Sequence, residues 1–366
     1  MPSALFSPLK LRSLTIPHRG WVSPMCQYSC LPETGEGVPT DWHLMHLGSF
    51  AAGGAALIMT EAAAVNAAGR ISPRDAGLYS DAQAAGWERI VDFVHRHGAV
   101  DCRIGTQLAH AGRKASTYWP FSGKSGSVPE SDGGWQTVGP TTSPFDGYAT
   151  PAAMSEAEIL AVVADFASAA GRAVAAGFDT VEIHGAHGYL LHQFQSPLIN
   201  TRTDGWGGDE SGRNRLMLAV VDAVRNAIPD SMPLLLRISA SDWADGGVDV
   251  EASVRLAREA AKRGVDLVDV SSGGAVAHQA IQAAPGYQAG FAERVKHDAG
   301  VPTGAVGLLT SPAQAEDIVA NGRADAVFMA RAALRDPHWW LRAAYELGHD
   351  ISWVPQYERA VPRHGF

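Results

Sequence analysis

The sequence predicts a single closed (β/α)8 barrel, and three observations carry that reading. Short β-branched or apolar runs alternate with amphipathic stretches from one end to the other, eight such runs can be counted, and polar residues gather where those runs finish. Strands alternating with helices predict a parallel sheet, and eight units predict its closure. An open doubly wound sheet is the competing fold. It wants a Gly-x-Gly-x-x-Gly after an early strand, and none is found. A length of 366 residues would ordinarily suggest two domains at about 150 residues each, but barrels use such a length as one.

In chain order the candidate strands are residues 20–23, 55–60, 103–108, 180–184, 234–239, 267–271, 302–306 and 326–330. The clearest helix is 155–176. Ser155 with Glu158 resembles a capping box, Ile159, Val163, Phe166, Ala170 and Val174 form one buried stripe, and Gly177 stands where a C-terminal cap belongs. Ser311-Pro312 reads as an N-cap followed by a first-turn proline. Residues 113–154, rich in Gly, Ser, Thr and Pro, break the pattern after the third strand. They are placed as a lid over the barrel mouth and not as a linker between domains.

The net charge of −9 lacks the basic stripe of a nucleic-acid binder. Cys26, Cys30 and Cys102 form no Cys-x-x-Cys, which suggests a reducing compartment. Residues 1–21 hold no signal-peptide core, and no apolar run approaches the roughly 18 residues of a membrane span. The expectation is a cytosolic protein that binds neither nucleic acid nor membrane.

Barrel active sites lie at the C-terminal ends of the strands. There the sequence places Cys26 and Tyr28, Glu61 and Ala62, Gln107 and His110, His184, His187 and Tyr189, Arg237, Ser271 to Gly274, Gly304 to Gly307, and Ala330-Arg331. In His184-Gly-Ala-His187-Gly-Tyr189, two imidazoles can donate to one oxygen and a phenol can deliver a proton. That set suits polarising a carbonyl and protonating the carbon beside it. Arg237 ends a wholly apolar strand, so it must meet a ligand anion or an internal carboxylate, and both readings stand. The glycine-rich ends of strands six to eight, with Arg331, favour a phosphorylated ligand, although turns alone also use glycine.

A metal site is the alternative for the histidines, because His43-x-x-His46 repeats the spacing of His184 and His187. Against it, residues 42–52 read as a helix that puts His43 and His46 on the outer ring as structural residues. Other strand ends carry Gln107, Arg237 and Ser271, which are poor metal ligands. His95 and His97 suit the end of a helix over 82–97. Cys26 is either inert core or a nucleophile that would want a histidine partner. Cys30 and Cys102 read as structural.

Seven motifs in order extend the reading: Ser23-Pro24-Met25-Cys26-Gln-Tyr28, Glu61-Ala62, Gln107-Leu-Ala-His-Ala-Gly-Arg-Lys114, His184 to Tyr189, Arg202-Thr-Asp204 with Gly207-Gly208, Arg237 to Asp242, and Gln356-Tyr357-Glu-Arg359. By these the chain resembles the Old Yellow Enzyme family of flavin-dependent ene-reductases, in its thermophilic-like branch. The resemblance implies non-covalent FMN, with NADPH or NADH as reductant. It implies that Ser23, Pro24, Met25, Cys26, Ala62 and Gln107 contact the isoalloxazine ring and that Arg237 faces its N1/O2 edge. Gly273, Gly307, Ala330 and Arg331 would hold the phosphate. His184 and His187 would hold the carbonyl oxygen of a small activated alkene, Tyr28 would position it, and Tyr189 would protonate its α-carbon after hydride from flavin N5 reaches the β-carbon. Unsaturated carbonyl compounds, and by extension nitro compounds, are the implied substrates. Cys26 would tune the flavin and touch substrate without attacking it.

Residues 351–366 resemble a segment that crosses to a neighbouring subunit, which implies a homodimer or dimer of dimers with Tyr357 and Arg359 in the neighbouring site. Three features depart from the family pattern: Ala330 in place of glycine, Trp206 in place of tyrosine, and a longer stretch over 118–136 carrying Trp119 and Trp135. A multidomain flavin/iron–sulfur reductase would need a cysteine cluster that is absent from the sequence. A barrel hydrolase using a metal and a flavin-binding protein without turnover are the remaining alternatives.

Overall fold

A computed structural model describes residues 3–362, so positions 363–366 of the C-terminal segment lie outside the described residues. Its centre is a closed barrel of eight parallel strands in chain order: Gly20–Val22, Leu57–Ala64, Arg103–Ala109, Thr180–Gly185, Leu234–Ser239, Leu267–Ser271, Thr303–Ala305 and Ala326–Met329. Each matches an expected run. The second strand runs on through Ala64, past an irregularity between Met59 and Ala62 that the sequence pattern does not reveal.

Side chains alternate along these strands as pleating requires. Val181, Ile183, Leu234, Leu236, Val268 and Val270 pack outward under the helices. Trp21, Leu57, Met59, Leu235, Leu267 and Phe328 fill the lower interior. The same alternation turns Glu182 and His184, Arg237 and Ser239, and Asp269 and Ser271 into the barrel, at and just below its C-terminal mouth. An antiparallel hairpin of two three-residue strands, Leu9–Leu11 and Leu14–Ile16, closes the opposite end, with Leu11 and Ile16 joining the lower cluster.

The helix Glu156–Ala175 starts on the expected capping box. Ser155 Oγ accepts the Glu158 N–H at 3.3 Å, and Glu158 Oε2 accepts the Ser155 N–H at 2.7 Å. Ile159, Val162, Phe166 and Ala170 are buried, while Val163 and Val174 edge the stripe. Ser311 caps Pro312–Ala320 through the Gln314 N–H at 3.2 Å. Among the described residues no helix is long and apolar enough to cross a membrane.

Residues 113–154 pack onto the mouth. Arg113 donates to the carbonyls of Ser143, Pro144 and Ala275, and Trp135 Nε1 donates to the Ala68 carbonyl. The only regular pairing within the segment's far end is a two-residue strand, Val138–Gly139, against Ala152–Ala153.

Candidate active site

Strand four delivers the densest chemistry. His184 Nδ1 accepts the Ala186 N–H at 3.3 Å, so Nε2 carries the ring proton and is a donor. Burial, and then the nearby Arg237 charge, hold this imidazole well below its ordinary range, so it is neutral. The chain then turns sharply through His187 and Gly188, both in left-handed backbone with φ of 58° and 70°. A Cβ at Gly188 would collide with the Gly274 carbonyl, so only glycine fits. The His187 N–H donates to Ser239 Oγ at 2.9 Å, and its Nε2 lies 2.7 Å from Ser271 Oγ. The His184 ring centroid is 5.1 Å from that of His187 and 5.0 Å from that of Tyr189, edge-on to both.

Tyr189 opens the short helix Leu190–Gln195. Burial, with Cys26 and Tyr28 close by, pushes its phenol well above the ordinary range and keeps the proton on. Cys26, Tyr28 and Trp135 pack with it around Ile71, Ala111 and Ala115, so the first loop, the lid and strand four meet at one wall. The Cys26 thiol is also pushed well up, by burial and then by the carboxylates of Asp75 and Glu61. A thiol held neutral is a poor nucleophile, which argues against an attacking role.

Glu61 anchors this loop. Its Oε2 accepts the Gln27 N–H at 3.0 Å, and its Oε1 lies 3.0 Å from His43 Nε2, whose Nδ1 accepts the Thr40 N–H at 2.8 Å. His43 is therefore structural, but it points inward at the mouth and not to the outer ring, because this buried carboxylate needs a donor. His46 is buried edge-on against Phe50. His95 pairs with Asp179 at 2.8 Å.

Both readings of Arg237 bear on the structure. Its Nε lies 3.1 Å from Asp269 Oδ2, an internal ion pair, while its terminal nitrogens make no hydrogen bond among the described residues. Beside it Gln107 Nε2 donates to Glu182 Oε1 at 2.7 Å. All four side chains are buried.

At the ends of strands six to eight lies a hollow of about 230 Å³, lined by Ser271, Gln288, Gly307, Ala330 and Arg331 among others. Gly307 has φ 119°, and a Cβ there would sit 2.8 Å from Gln288 Nε2. Small residues, exposed backbone and two guanidinium groups, of Arg331 and Arg335, suit a phosphate group. The methyl of Ala330 does not close this hollow. Gly273 lies outside the lining, and a Cβ there would run into Gln279 and Ile281. Ser23 is buried, Pro24 and Met25 are partly so, and Ala62 is buried on strand two. Tyr357 and Arg359 are exposed on the turn Pro355–Ala360, with Tyr357 beside His338.

One contributor escapes a reading of the sequence alone. Lys114 Nζ donates to the carbonyls of His187 at 2.8 Å and Gly274 at 3.2 Å, with its charge 5.1 Å from the Tyr189 ring centroid. Burial, with Arg113 near, lowers its pKa to about 8. Basic residues after a strand are common, and nothing in the sequence tells which carbonyls, 73 and 160 positions away, one will meet.

Comparison with known proteins agrees with this geometry. The model of the NADH:flavin oxidoreductase / NADH oxidase family matches residues 4–350. An NADPH dehydrogenase of Geobacillus sp. (strain WCH70) is 46% identical over 98% of this chain and 99% of its own, and one of Halalkalibacterium halodurans is 43% identical with the same coverage. Among solved structures, morphinone reductase superposes with a TM-score of 0.77 at 27% identity, over 96% of this chain and 91% of its own. A 2-naphthoyl-CoA reductase superposes at 0.83 with 24% identity. That likeness concerns the fold alone, and this chain spans only 52% of that protein's length. With a family match over nearly its whole length and full-length relatives above 40% identity, the chain belongs to the NADH:flavin oxidoreductase / NADH oxidase family, the Old Yellow Enzyme barrels, as an oxidoreductase with FMN as cofactor and NADPH as reductant.

Proposed function

We propose that this chain is an ene-reductase that saturates the C=C bond of small α,β-unsaturated carbonyl compounds. The observation that carries the reading is His184 Nε2, a neutral buried donor, set edge-on to a Tyr189 phenol that keeps its proton. The residues around it suit FMN. The hollow at Gly307, Ala330 and Arg331 takes a phosphate, and Arg237 keeps its terminal nitrogens free for an electron-rich ring edge. Ser23, Pro24, Met25, Ala62 and Gln107 belong to the wall toward which that ring would lie.

Bound FMN supplies a hydride, drawn from NADPH or NADH, to the β-carbon. The protein does the rest. His184, with His187 beside it, donates to the substrate oxygen and favours the charge that gathers there, as an oxyanion hole does. Tyr189 gives its proton to the α-carbon, so one hydride and one proton complete the bond. The Tyr28, Cys26 and Trp135 wall excludes water and orients the alkene, with residues 113–154 as its lid. Because His187 Nε2 is engaged by Ser271, the bond that His187 adds to the substrate oxygen would come from Nδ1.

An anaerobic absorbance titration tests the reading. The purified protein should show an oxidised-flavin band that NADPH bleaches and that cyclohexenone restores. A band that NADPH bleaches but that no enone restores would leave an NADPH dehydrogenase without ene-reduction.

A further inference from the structure

Four polar side chains interrupt the apolar barrel interior on four consecutive strands: Gln107, Glu182, Arg237 and Asp269. Strand register sets Gln107 opposite Glu182 and Arg237 opposite Asp269. Along their own strands Glu182, Arg237 and Asp269 each lie one interior position below His184, Ser239 and Ser271, so the set floors the mouth. It holds two carboxyl groups and one guanidinium. The ion pair of Arg237 with Asp269 and the bond from Gln107 to Glu182 are its internal contacts. Glu182 Oε2 and both Asp269 oxygens are buried with no hydrogen-bond partner, but Asp269 has the guanidinium beside it and Glu182 does not. One cation cannot neutralise two buried carboxylates, and an unpaired charge there is costly.

We propose that Glu182 is a positioning residue that acts through Gln107 and Arg237, holding a proton so that the floor gains no net negative charge when the cofactor above it is reduced. The inference rests on the FMN assignment. Glu182 is raised well above the ordinary carboxylate range by burial and then by Asp269, with Arg237 and the Gln107 bond opposing. Those are the charged and polar groups that act on it, since the lower interior is apolar. The bond from Gln107 Nε2 to Glu182 also turns the Gln107 carbonyl oxygen away from it, leaving that oxygen as an acceptor for the ligand.

Hydride transfer from NADPH carries two electrons and one proton into the cofactor and leaves one added negative charge. That charge draws on Arg237 and raises the proton affinity of Glu182. On the alkaline side, where Glu182 is ionised before reduction, it takes one proton from solvent as the hydride arrives. The total is two electrons and two protons. Below that range Glu182 is already protonated and the total is two electrons and one proton.

The test is the FMN midpoint potential of the holoenzyme, followed from neutral pH to about pH 10. Each proton taken up with the two electrons contributes about 30 mV per pH unit. The wild type should steepen from about 30 to about 60 mV per pH unit on the alkaline side, and Glu182→Gln should stay near 30 throughout. A wild type that never steepens, or a variant that steepens as before, overturns the proposal. If the protein takes up no FMN, the cofactor assignment fails visibly as a colourless sample. Urea unfolding of the apoprotein then reads the proton directly. A carboxyl with a raised folded pKa gives stability that falls as pH rises from its unfolded to its folded value. That fall should vanish in Glu182→Gln, and identical profiles in the two proteins overturn the proposal.

Discussion

Tyr189 and His184 do separable things, and substitution should separate them. Tyr189→Phe keeps the ring and its packing on Cys26 and Tyr28 but removes the proton. Alkene reduction should slow by about 10²- to 10⁴-fold, the usual worth of a placed acid, while reduction by NADPH proceeds at the wild-type rate. Stopped-flow measurement of both half-reactions checks this, and equal loss in both would refute the assignment. Because the phenol is held well above its ordinary range, the alkene half-reaction should also show no alkaline fall across the usual tyrosine titration. His184→Ala should weaken binding of a simple phenol by about 3- to 10-fold, one hydrogen bond's worth, as read by spectral titration. At this scale the sequence is informative where chemistry is contiguous. His184, His187 and Tyr189 declare themselves because six residues hold all three. Glu182 and Lys114 do not, since their meaning lies in Asp269, Gly274 and His187, which only closure of the barrel brings near.

Secondary-structure elements were legible wherever a repeating pattern had length to act. The strand Leu234–Ser239 announces itself by three leucines, and Glu156–Ala175 by its cap and stripe. The hairpin Leu9–Leu11 with Leu14–Ile16 does not, because three residues cannot establish a period of two. The inward turn of His43 is hidden likewise, since a helical pattern gives a face but not which buried carboxylate that face will meet. The two kinds of terminus should also respond differently to mutation. Ser155→Ala removes the two bonds of the capping hydroxyl, from the Glu158 N–H and to the Glu158 carboxylate, far from the mouth and should cost about 1 kcal/mol, with catalysis unchanged. Gly188→Ala forces a Cβ into the Gly274 carbonyl at a left-handed position. It should cost about 1–3 kcal/mol through strain and displace His187 and Tyr189 as well. Chemical denaturation and phenol titration together distinguish these. Intact phenol binding in Gly188→Ala would show that the turn tolerates repacking.

The whole molecule leaves two surfaces that a lone barrel does not explain. The turn Pro355–Ala360 contains no buried residue, and Tyr357 on it is 45% exposed. Beside the mouth a groove of about 720 Å³ runs outward from Tyr28 between Trp42, Arg74, Trp119 and Phe121, with Phe121 68% exposed. Aromatic residues and arginine are what interface cores favour, and a two-fold dimer would let each chain offer its turn and receive its partner's. A C-terminal segment of the kind the motif Gln356-Tyr357-Glu-Arg359 resembles would then bring Tyr357 and Arg359 to the neighbouring substrate site. On this arrangement the enzyme is a dimer, or a pair of dimers, in light scattering. Arg359→Ala should raise KM for the alkene by about 10- to 150-fold, the worth of one charged hydrogen bond, while the NADPH half-reaction keeps its rate. The exposed position of Arg359 makes a folding defect an unsuitable explanation for such a split. A strictly monomeric enzyme with full alkene activity would refute the shared site and return the groove beside Tyr28 to the substrate alone.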